Sequence, residues 1–510
     1  MSGRRECVSF LFEWLSSRAD CGPAASRGVR PTVHDVLTKA YYWIVAELTT
    51  LLGFGLAIVF VAYLLRQKRS PASTLAWLLV IVLAPYVGVP LYILFGGRKM
   101  IRMAARKAPV YVGTAQRSSP SIDSDTERLL RSYGVPEARA GNHVAIMETG
   151  EESYARLMEL IDEARSTIYI TTFILGDDEV GRALISALAR KAERGVLVRL
   201  LLDDVGSWWL RRKRLAPLTR AGGRVAYFMP MLHLPFRGRA NLRNHRKLAV
   251  ADGRWALAGG MNLTSAYMGP LPDHQRWRDL SIVVEGPAVE DLEWLFRSDW
   301  KFATGENVPA GRRRAAMGNP EALRPPVQPS SGGTTVQVVA SGPDVDGDPL
   351  FESLLSLIFF ARKRIWIVTP YFVPDDMLVR ALVLAVRRGV DVRLIVPWKS
   401  NHPIADLARE GYIRELYEAG TEILLYRPTM LHAKAVLFDD RLTIIGSPNM
   451  DNRSLFLNYE VALYVFALDR VAEVARWIEQ LAAGCTYYEP KRGGTREIAE
   501  NVLRLFAPLL

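Results

Sequence analysis

Two long uncharged segments near the start of the chain dominate its hydrophobic pattern. Leu48 to Leu65 is a run of 18 residues without a charge, and Ser70 to Gly97 is a second uncharged run. At about 1.5 Å per residue the first run forms a helix about 27 Å long, close to the thickness of a bilayer core. Buried helices of a soluble core are the weaker alternative, because such helices seldom stay uncharged for so long.

Two prolines interrupt the second uncharged run. Pro85 and Pro90 predict either a kinked spanning helix or a re-entrant hairpin that enters the membrane and returns. Basic residues flank both uncharged runs, so the distribution of Lys and Arg leaves the orientation open. The predicted bounds are an N-terminal extension at residues 1–40 and a membrane hairpin at residues 41–107, with helices at about 43–65 and 74–96.

Downstream, strand-like and helix-like segments alternate, and the same order occurs twice. An apolar, β-branched run begins at Ile168, and a buried strand begins at Gly195 after a helical segment. The second copy has its runs at Ile365 and Gly389. We therefore predict the α/β fold class, built from two copies of one strand–helix–strand domain. The predicted bounds are a first domain at 143–303, an irregular linker at 304–334 and a second domain at 335–510.

Each copy contains the same motif, His-x-Lys-x4-Asp, followed after six residues by Gly-x2-Asn. The members are His245, Lys247, Asp252 and Asn262 in the first copy, and His432, Lys434, Asp439 and Asn449 in the second. A single His-x-Lys pair is common on surface strands. With typical residue usage, however, the full pattern rarely occurs by chance even once in a chain, and two chance copies are far rarer.

The residue types of this motif suit a phosphodiester. In an extended chain residues i and i+2 face the same way, so the His and the Lys of each copy project together. Two Lys charges and two Asn amides can hold the non-bridging phosphate oxygens. One His can attack phosphorus while the other protonates the leaving oxygen, a scheme that needs no metal or other cofactor. A metal site is disfavoured, because Lys occupies the position of a ligand.

The charge balance indicates an anionic partner. The chain has 65 Lys and Arg against 53 Asp and Glu, a net charge of +12, which suits either nucleic acid or an acidic lipid surface. Trp208-Trp209 with the basic run 211–214 suit a membrane interface, although a solvated basic helix start fits equally well. His402, after Trp398-Lys-Ser-Asn, fits either a position near the mouth of the site or a satisfied loop histidine, and we favour the loop histidine.

At these residues the chain resembles the phospholipase D superfamily, and more closely the bacterial cardiolipin synthases. The paired His-x-Lys motif carries the first likeness. The segments Thr74-Leu-Ala-Trp-Leu-Leu and Pro85-Tyr-Val-Gly-Val-Pro carry the second, together with Asn244-His-Arg-Lys and the segment from Asn449 to Glu460. The resemblance covers roughly residues 45 to 510. It implies two phospholipase D-type α/β/α domains that form one active site, preceded by a transmembrane or re-entrant helical hairpin.

The resemblance also implies an activity and roles. The family condenses two phosphatidylglycerol molecules into cardiolipin and releases glycerol, which places the protein in a bacterial inner membrane with anionic phospholipid as partner and no nucleic acid. His245 is expected to carry the phosphatidyl group and His432 to act as acid and base, although the symmetric motif leaves the nucleophile open. Asp279 and Glu460 are expected to orient the histidines.

Two points qualify the carried-over roles. Asp252 and Asp439 belong to the catalytic motif but are expected to brace the fold rather than touch substrate. Leu280-Ser281 follows Asp279 where a polar residue or His is expected, which weakens the role of Asp279.

Other functions compete with this one. A hydrolase of the same superfamily, a phosphatidylserine synthase, or phosphatidylethanolamine as second substrate all fit the motif. A non-catalytic lipid-binding protein is disfavoured because both motif copies are intact.

Overall fold

The computed structural model describes most of the chain, in two compact units that are treated separately. One unit is Met1–Tyr92 and the other is Ile93–Leu510. Most of the predicted extension, much of the predicted linker and the last 20 residues lie outside the described residues. The described ranges are 33–66, 71–95, 107–111, 125–230, 242–311 and 333–490.

The described residues of the first unit form three apolar helices, the last of which continues past Tyr92. They are α1 (Val33–Leu65), α2 (Pro71–Leu83) and α3 (Pro85–Phe95). Within α1, Ala40–Leu65 is long and apolar enough to cross a membrane, and it is the one such helix among the described residues. At about 1.5 Å per residue, α2 and α3 are only about 20 Å and about 17 Å long, too short to cross a bilayer core singly.

The second apolar segment, for which Pro85 and Pro90 predict a kink or a re-entrant turn, is divided into two helices at Ala84. Pro85 lacks a backbone N–H and starts the new helix, where that donor is not needed. A side chain at Gly88 would come within 2.5 Å of the Val80 carbonyl oxygen, so α3 folds back against α2 at this glycine. The small hydrophobic core of this unit includes Leu64, Ile81 and Tyr92.

The second unit is built on one long sheet. Its strands are β1 (Arg139–Met147), β2 (Thr167–Thr172), β3 (Leu197–Asp203), β4 (Arg224–Phe228), β5 (Leu248–Ala251), β6 (Trp255–Gly259), β7 (Ser281–Glu285), β8 (Thr334–Ser341), β9 (Arg364–Val368), β10 (Phe372–Val373), β11 (Asp391–Pro397), β12 (Glu422–Tyr426), β13 (Ala435–Phe438), β14 (Leu442–Gly446), β15 (Met450–Asp451), β16 (Glu460–Phe466) and β17 (Cys485–Tyr487).

Helices connect these strands and cover both faces of the sheet. They are α4 (Asp125–Ser132), α5 (Gly150–Glu163), α6 (Glu179–Glu193), α7 (Ala216–Arg220), α8 (Val289–Thr304), α9 (Pro349–Phe360), α10 (Asp376–Arg387), α11 (Pro403–Ala419), α12 (Asn452–Phe456) and α13 (Leu468–Ala483).

The strand order confirms the predicted repeat. The first half runs β4-β3-β2-β5-β6-β7-β1, and the second half runs β12-β11-β9-β13-β14-β16-β8, with β17 added at its edge. The two halves join where β1 pairs antiparallel with β8, so 15 strands form one sheet, and β10 and β15 form a separate pair. The same order of elements in both halves places the two motifs at equivalent positions.

Hydrophobic side chains pack on both faces of the sheet. On one face, α8 and α13 share a single core that takes residues from both halves, including Phe296, Trp300 and Trp477. On the other face each half has its own core, one under α5 and α6 and one under α9, α10 and α11. Each half is thus an α/β/α sandwich, as predicted.

The motif aspartates lie at the amino-terminal edge of the sheet. Asp252 and Asp439 have positive φ angles of 55° and 51°, in tight turns after β5 and β13. The Asp252 carboxylate accepts hydrogen bonds from three backbone N–H groups at residues 165–167, and the Asp439 carboxylate accepts from residues 362–364. Each aspartate therefore holds the start of the strand that pairs with its own, β2 beside β5 or β9 beside β13.

We predict that Asp439→Ala lowers the free energy of unfolding by about 2 kcal/mol, because three backbone donors lose their acceptor. Urea or thermal unfolding of the purified protein measures this change. Asp440→Ala is the matched control, since its exposed ion pairs with Lys363 and Arg364 should contribute less than about 1 kcal/mol. Equal effects of the two substitutions would contradict the bracing role.

Candidate active site

Both histidines lie at the carboxyl edge of the parallel strands. Strands β2, β3 and β4 are parallel, and β5 runs antiparallel to β2, so His245, just before β5, lies at this edge. The same relation holds for β9, β11, β12 and β13, and places His432 at the equivalent position. Open α/β sheets commonly bind ligands at this edge.

Each histidine is paired with a carboxylate from the other half. His245 Nδ1 lies 2.9 Å from Glu460 Oε1, and His432 Nδ1 lies 2.6 Å from Asp279 Oδ2. Both carboxylates are fully buried at the start of β16 and just before β7. Because Nδ1 faces the carboxylate in both rings, Nε2 is the nitrogen available to a substrate, and in His432 it lies 3.1 Å from Lys434 Nζ.

Short parallel bridges between the halves create these pairs. Asn244 bridges Tyr459, and the His245 N–H donates to the Tyr459 carbonyl oxygen at 2.9 Å. In the same way Arg278 bridges Leu431, and the His432 N–H donates to the Arg278 carbonyl oxygen at 2.7 Å. Each histidine backbone is therefore hydrogen-bonded to the residue that precedes its own carboxylate, so ring and carboxylate are placed by the same contact.

The two lysines lie beside their histidines, as the i, i+2 spacing predicts. Lys247 Nζ donates to the His245 carbonyl oxygen at 2.8 Å, and Lys434 Nζ donates to the His432 carbonyl oxygen at 2.5 Å. Lys434 Nζ is also 2.7 Å from His432 Nδ1. Both lysines are buried, and only 4% of the surface of each residue is exposed. Two buried ammonium groups at one edge favour an anionic ligand.

The two asparagines follow β6 and β14 at the same edge. Asn262 Oδ1 accepts from the Ile174 N–H at 3.2 Å, and Asn449 Nδ2 donates to Asp451 Oδ2 at 3.0 Å. Among the described residues, Asn449 Oδ1 is one of the buried polar atoms that lack a hydrogen-bond partner. By contrast, Asp252 and Asp439 lie outside this edge. Each follows its motif lysine by five residues of mostly extended chain, which separates the two positions by about 16 Å.

Comparison with known proteins places this geometry in a family. Residues 157–300 and 354–482 match the family model described as cardiolipin synthase, PLD-like domain. Residues 55–97 match the model described as phospholipase D-nuclease N-terminal. The chain belongs to the cardiolipin synthase family of the phospholipase D superfamily. It is therefore an enzyme of that superfamily, a phosphatidyltransferase with a membrane anchor.

Individual relatives agree with this assignment. Cardiolipin synthase 1 of Bacillus anthracis is 34% identical over 471 residues, which cover 87% of this chain and 90% of the relative. Cardiolipin synthase of Geobacillus kaustophilus is 33% identical over 473 residues, covering 89% and 92%. Among solved structures, phosphatidylserine synthase of Haemophilus influenzae aligns with a TM-score of 0.56 at 17% identity, over 76% of this chain and 100% of that one. That likeness concerns the fold alone.

Aromatic rings make the two sides of this site unequal, which the symmetric motif did not indicate. Among the described residues, His245 has one aromatic neighbour, Phe173, with ring centroids 5.1 Å apart. His432 has three, which are Tyr267 at 4.9 Å, Trp277 at 5.6 Å and Tyr371 at 6.5 Å. Phe173 and Tyr371 follow the equivalent strands β2 and β9, but the repeat aligns Tyr371 with Ile174, so comparison of the two copies does not predict these rings.

His402 is exposed at the start of α11. Its ring lies 5.3 Å from the ring of Tyr371, which in turn borders His432. This histidine therefore lies beside the site, and its described contact with the motif histidines runs through the Tyr371 ring.

A buried ionic cluster supports the first motif from behind. Arg246 points away from His245 and Lys247 and donates to Asp299 at 2.7 Å. Asp299 also accepts from Asn244 Nδ2 at 2.9 Å and pairs with Lys107, which bonds Asp344 as well. Motif residues 244 and 246 are thus tied to α8 and to the segment at 107–111. Sequence gives no signal for this cluster, because its members are up to 237 residues apart.

Burial controls the charge state of the site. It lowers the pKa of His245 to about 4 although Glu460 opposes the change, and it lowers the pKa of His432 well below its usual value, helped by Lys434 and Lys247. Both imidazoles are therefore neutral at pH 7 without substrate. Bound phosphate would raise their pKa values, because its negative charge favours the protonated rings.

The lysines and carboxylates are shifted too. Burial lowers the pKa of Lys434 to about 8 and that of Lys247 well below its usual value. Burial raises the pKa of Asp279 to about 7 against the opposing charge of Lys434. For Glu460, burial is outweighed by the nearby His245 and Lys247 and the bond from Ser447, so its pKa lies below the usual value. The His245–Glu460 pair thus keeps an ionised carboxylate over a wider pH range.

We predict that kcat/KM falls as pH rises through about 8, because Lys434 loses the charge that holds the phosphate. A pH profile with dilute substrate measures this limb, since kcat/KM reports the free enzyme. Lys434→Arg should move the limb upward by at least one pH unit, because a guanidinium stays charged. Lys363→Arg, at the opposite edge, is the control and should leave the limb in place. An unmoved limb in Lys434→Arg would exclude Lys434 as its origin.

Proposed function

We propose that this enzyme transfers a phosphatidyl group from one phosphatidylglycerol to a hydroxyl of a second, giving cardiolipin and glycerol. The observation that carries the proposal is the pair of neutral histidines, each held at Nδ1 by a carboxylate of the opposite half beside two buried lysines. The names of the relatives point to the same product.

In the first step His245 Nε2 attacks phosphorus, and the bond from phosphorus to the glycerol oxygen breaks. His432, protonated once the phosphate is bound, gives its proton to that oxygen, and free glycerol leaves. Lys247 and Lys434 with Asn262 and Asn449 stabilise the charge on the non-bridging oxygens. Glu460 stabilises the positive charge that develops on the His245 ring.

In the second step neutral His432 takes the proton of an incoming glycerol hydroxyl. That oxygen attacks phosphorus, the phosphorus–nitrogen bond breaks, and His245 returns to its starting state. The aromatic rings around His432 favour this acceptor role, because they restrict water near the base. Water as acceptor would give phosphatidic acid instead. No cofactor takes part in the scheme.

The ionised partner favours His245 as the nucleophile. Glu460 has a lowered pKa, whereas the pKa of Asp279 is raised to about 7. An ionised carboxylate stabilises a phosphorylated imidazolium, and a carboxylate that titrates near neutrality suits a histidine that exchanges protons.

We predict that His245→Ala and His432→Ala each reduce cardiolipin formation from labelled phosphatidylglycerol at least about 10³-fold. In samples denatured at alkaline pH, which preserves a phosphorus–nitrogen bond, His432→Ala keeps the nucleophile and should carry covalent lipid label after long incubation, whereas His245→Ala should carry none. His143→Ala, an exposed position on β1, is the matched control and should keep full activity.

The outcomes separate the alternatives. Label trapped by His245→Ala instead would make His432 the nucleophile. Phosphatidic acid as the sole wild-type product would replace the transferase with a hydrolase, and product only with added phosphatidylethanolamine would change the acceptor.

The lipid substrate requires the enzyme to work at the membrane surface. Withdrawing a lipid from the bilayer costs about 0.8 kcal/mol for each methylene exposed to water, so the acyl chains must stay largely in the membrane during the reaction. The membrane anchor serves this requirement. We further propose that α1 crosses the inner membrane once and that α2 and α3 re-enter it from one side.

For this topology we predict that single cysteines at Arg66 and Phe95 react with an impermeant maleimide from the same side of sealed vesicles, and that a cysteine at His34 reacts from the other side. The reason is that α2 and α3, about 20 Å and about 17 Å long, fold back at Ala84. The chain then leaves the membrane on the side where α2 entered it. Labelling of residue 95 from the same side as residue 34 would instead demonstrate two crossings.

A further inference from the structure

Two exposed aromatic side chains lie in the loop that follows β3. Trp208 is 53% exposed and Trp209 is 88% exposed, although tryptophan is normally well buried. We call residues 204–211 the first mouth loop. It directly follows Asp203, the last residue of β3, and so lies at the same edge of the sheet as the motif histidines.

Hydrogen bonds fix the first mouth loop beside His245. Ser207 Oγ donates to the carbonyl oxygen of Phe173 at 3.0 Å, and the Phe173 ring contacts His245. Asp203 accepts from the Asn244 N–H at 2.9 Å, one residue before that histidine. The two tryptophans are therefore held at the rim of the site.

The second half has an equivalent segment after β11, residues 398–404, which ends in the first turn of α11 and which we call the second mouth loop. Trp398 is 41% exposed and Ile404 is 59% exposed. Asn401 in this loop accepts a hydrogen bond from the Tyr371 hydroxyl at 2.5 Å, and Tyr371 borders His432. Both histidines thus have an exposed, tryptophan-containing loop anchored to their aromatic neighbour.

Basic side chains accompany both mouth loops. Arg212 and Lys213 are exposed directly after the first loop, while Arg211 and Arg214 share Asp177. At the second loop, Lys399 Nζ and the Arg427 guanidinium lie 4.5 Å and 4.4 Å from the centre of the Trp398 ring. Aromatic rings with adjacent cations are the combination that favours the headgroup region of an anionic bilayer.

We propose that the two mouth loops dock the catalytic unit onto an anionic lipid bilayer, with Trp208, Trp209 and Ile404 in the headgroup layer and Arg212 and Lys213 on its phosphates. The inference rests on the proposed function, because a lipid substrate that keeps its chains in the membrane must meet the site at this surface. Docking places both histidines at the level of the scissile phosphodiester, so the loops act on access and leave the chemical steps to the motif residues.

A comparison of two substrates tests the docking surface in the full-length enzyme. Trp208→Ser/Trp209→Ser should lower kcat/KM about tenfold on long-chain phosphatidylglycerol in vesicles, since interfacial tryptophans and bound anionic lipid set the affinity. On dihexanoyl-phosphatidylglycerol, dissolved as monomers, the same variant should change less than about twofold, because no surface must be bound.

A matched control lies at the opposite edge of the sheet. Phe359 and Phe360 are 49% and 56% exposed at the end of α9, beside basic residues 362–364. Phe359→Ser/Phe360→Ser removes a similar exposed aromatic pair away from the histidines. This double substitution should not change the ratio of kcat/KM on vesicles to kcat/KM on the monomeric short-chain lipid.

A direct readout does not depend on turnover. A polarity-sensitive fluorophore on Trp209→Cys, in a chain whose Cys7, Cys21 and Cys485 are serine, should shift to the blue in nanodiscs that contain phosphatidylglycerol. Nanodiscs of phosphatidylcholine alone should give a smaller shift, and a fluorophore on Leu468→Cys, at the opposite edge, should give none.

The results decide both proposals separately. Equal losses on vesicles and monomers, an equal ratio change in the control pair, or an unshifted fluorophore at position 209 would each overturn the docking surface. Failure of the wild-type enzyme to form cardiolipin from either substrate would contradict the proposed function, while the fluorophore would still test docking.

Discussion

The active site depends on a reciprocal exchange between the two halves. Each histidine takes its carboxylate from the opposite half, His245 from Glu460 and His432 from Asp279, through bridges at Asn244–Tyr459 and Arg278–Leu431. Neither half alone can orient its own histidine. The continuous sheet, joined where β1 meets β8, and the shared core under α8 and α13 keep these contacts in register.

Burial then gives the site its chemistry. Charged side chains without water around them have shifted pKa values, so the free site contains neutral histidines and weakened lysine charges. An anionic phosphodiester relieves this electrostatic cost, and the site is thus complementary to a group that carries negative charge. The aromatic rings that the structure describes around His432 and at His245 divide an almost symmetric motif into two different environments.

The repeat explains why one motif serves two structural purposes. The His and Lys at one end of β5 and β13 face the site, while Asp252 and Asp439 at the other end hold the start of the neighbouring strand. A short strand of fixed length connects them, so the spacing of four residues is a property of the fold as much as of the chemistry. The motif therefore identifies the fold and the site together.

The sequence by itself determined the elements that depend on local order: the apolar segments, the two-copy α/β class, and the side-by-side His and Lys, which follow from strand alternation. It also offered Asp279 and Glu460 as partners. Tertiary structure decided which carboxylate meets which histidine, because those contacts join residues 153 and 215 positions apart. It also decided the ionic cluster at Lys107 and the rings around His432, since packing between distant segments leaves no periodic trace in the chain.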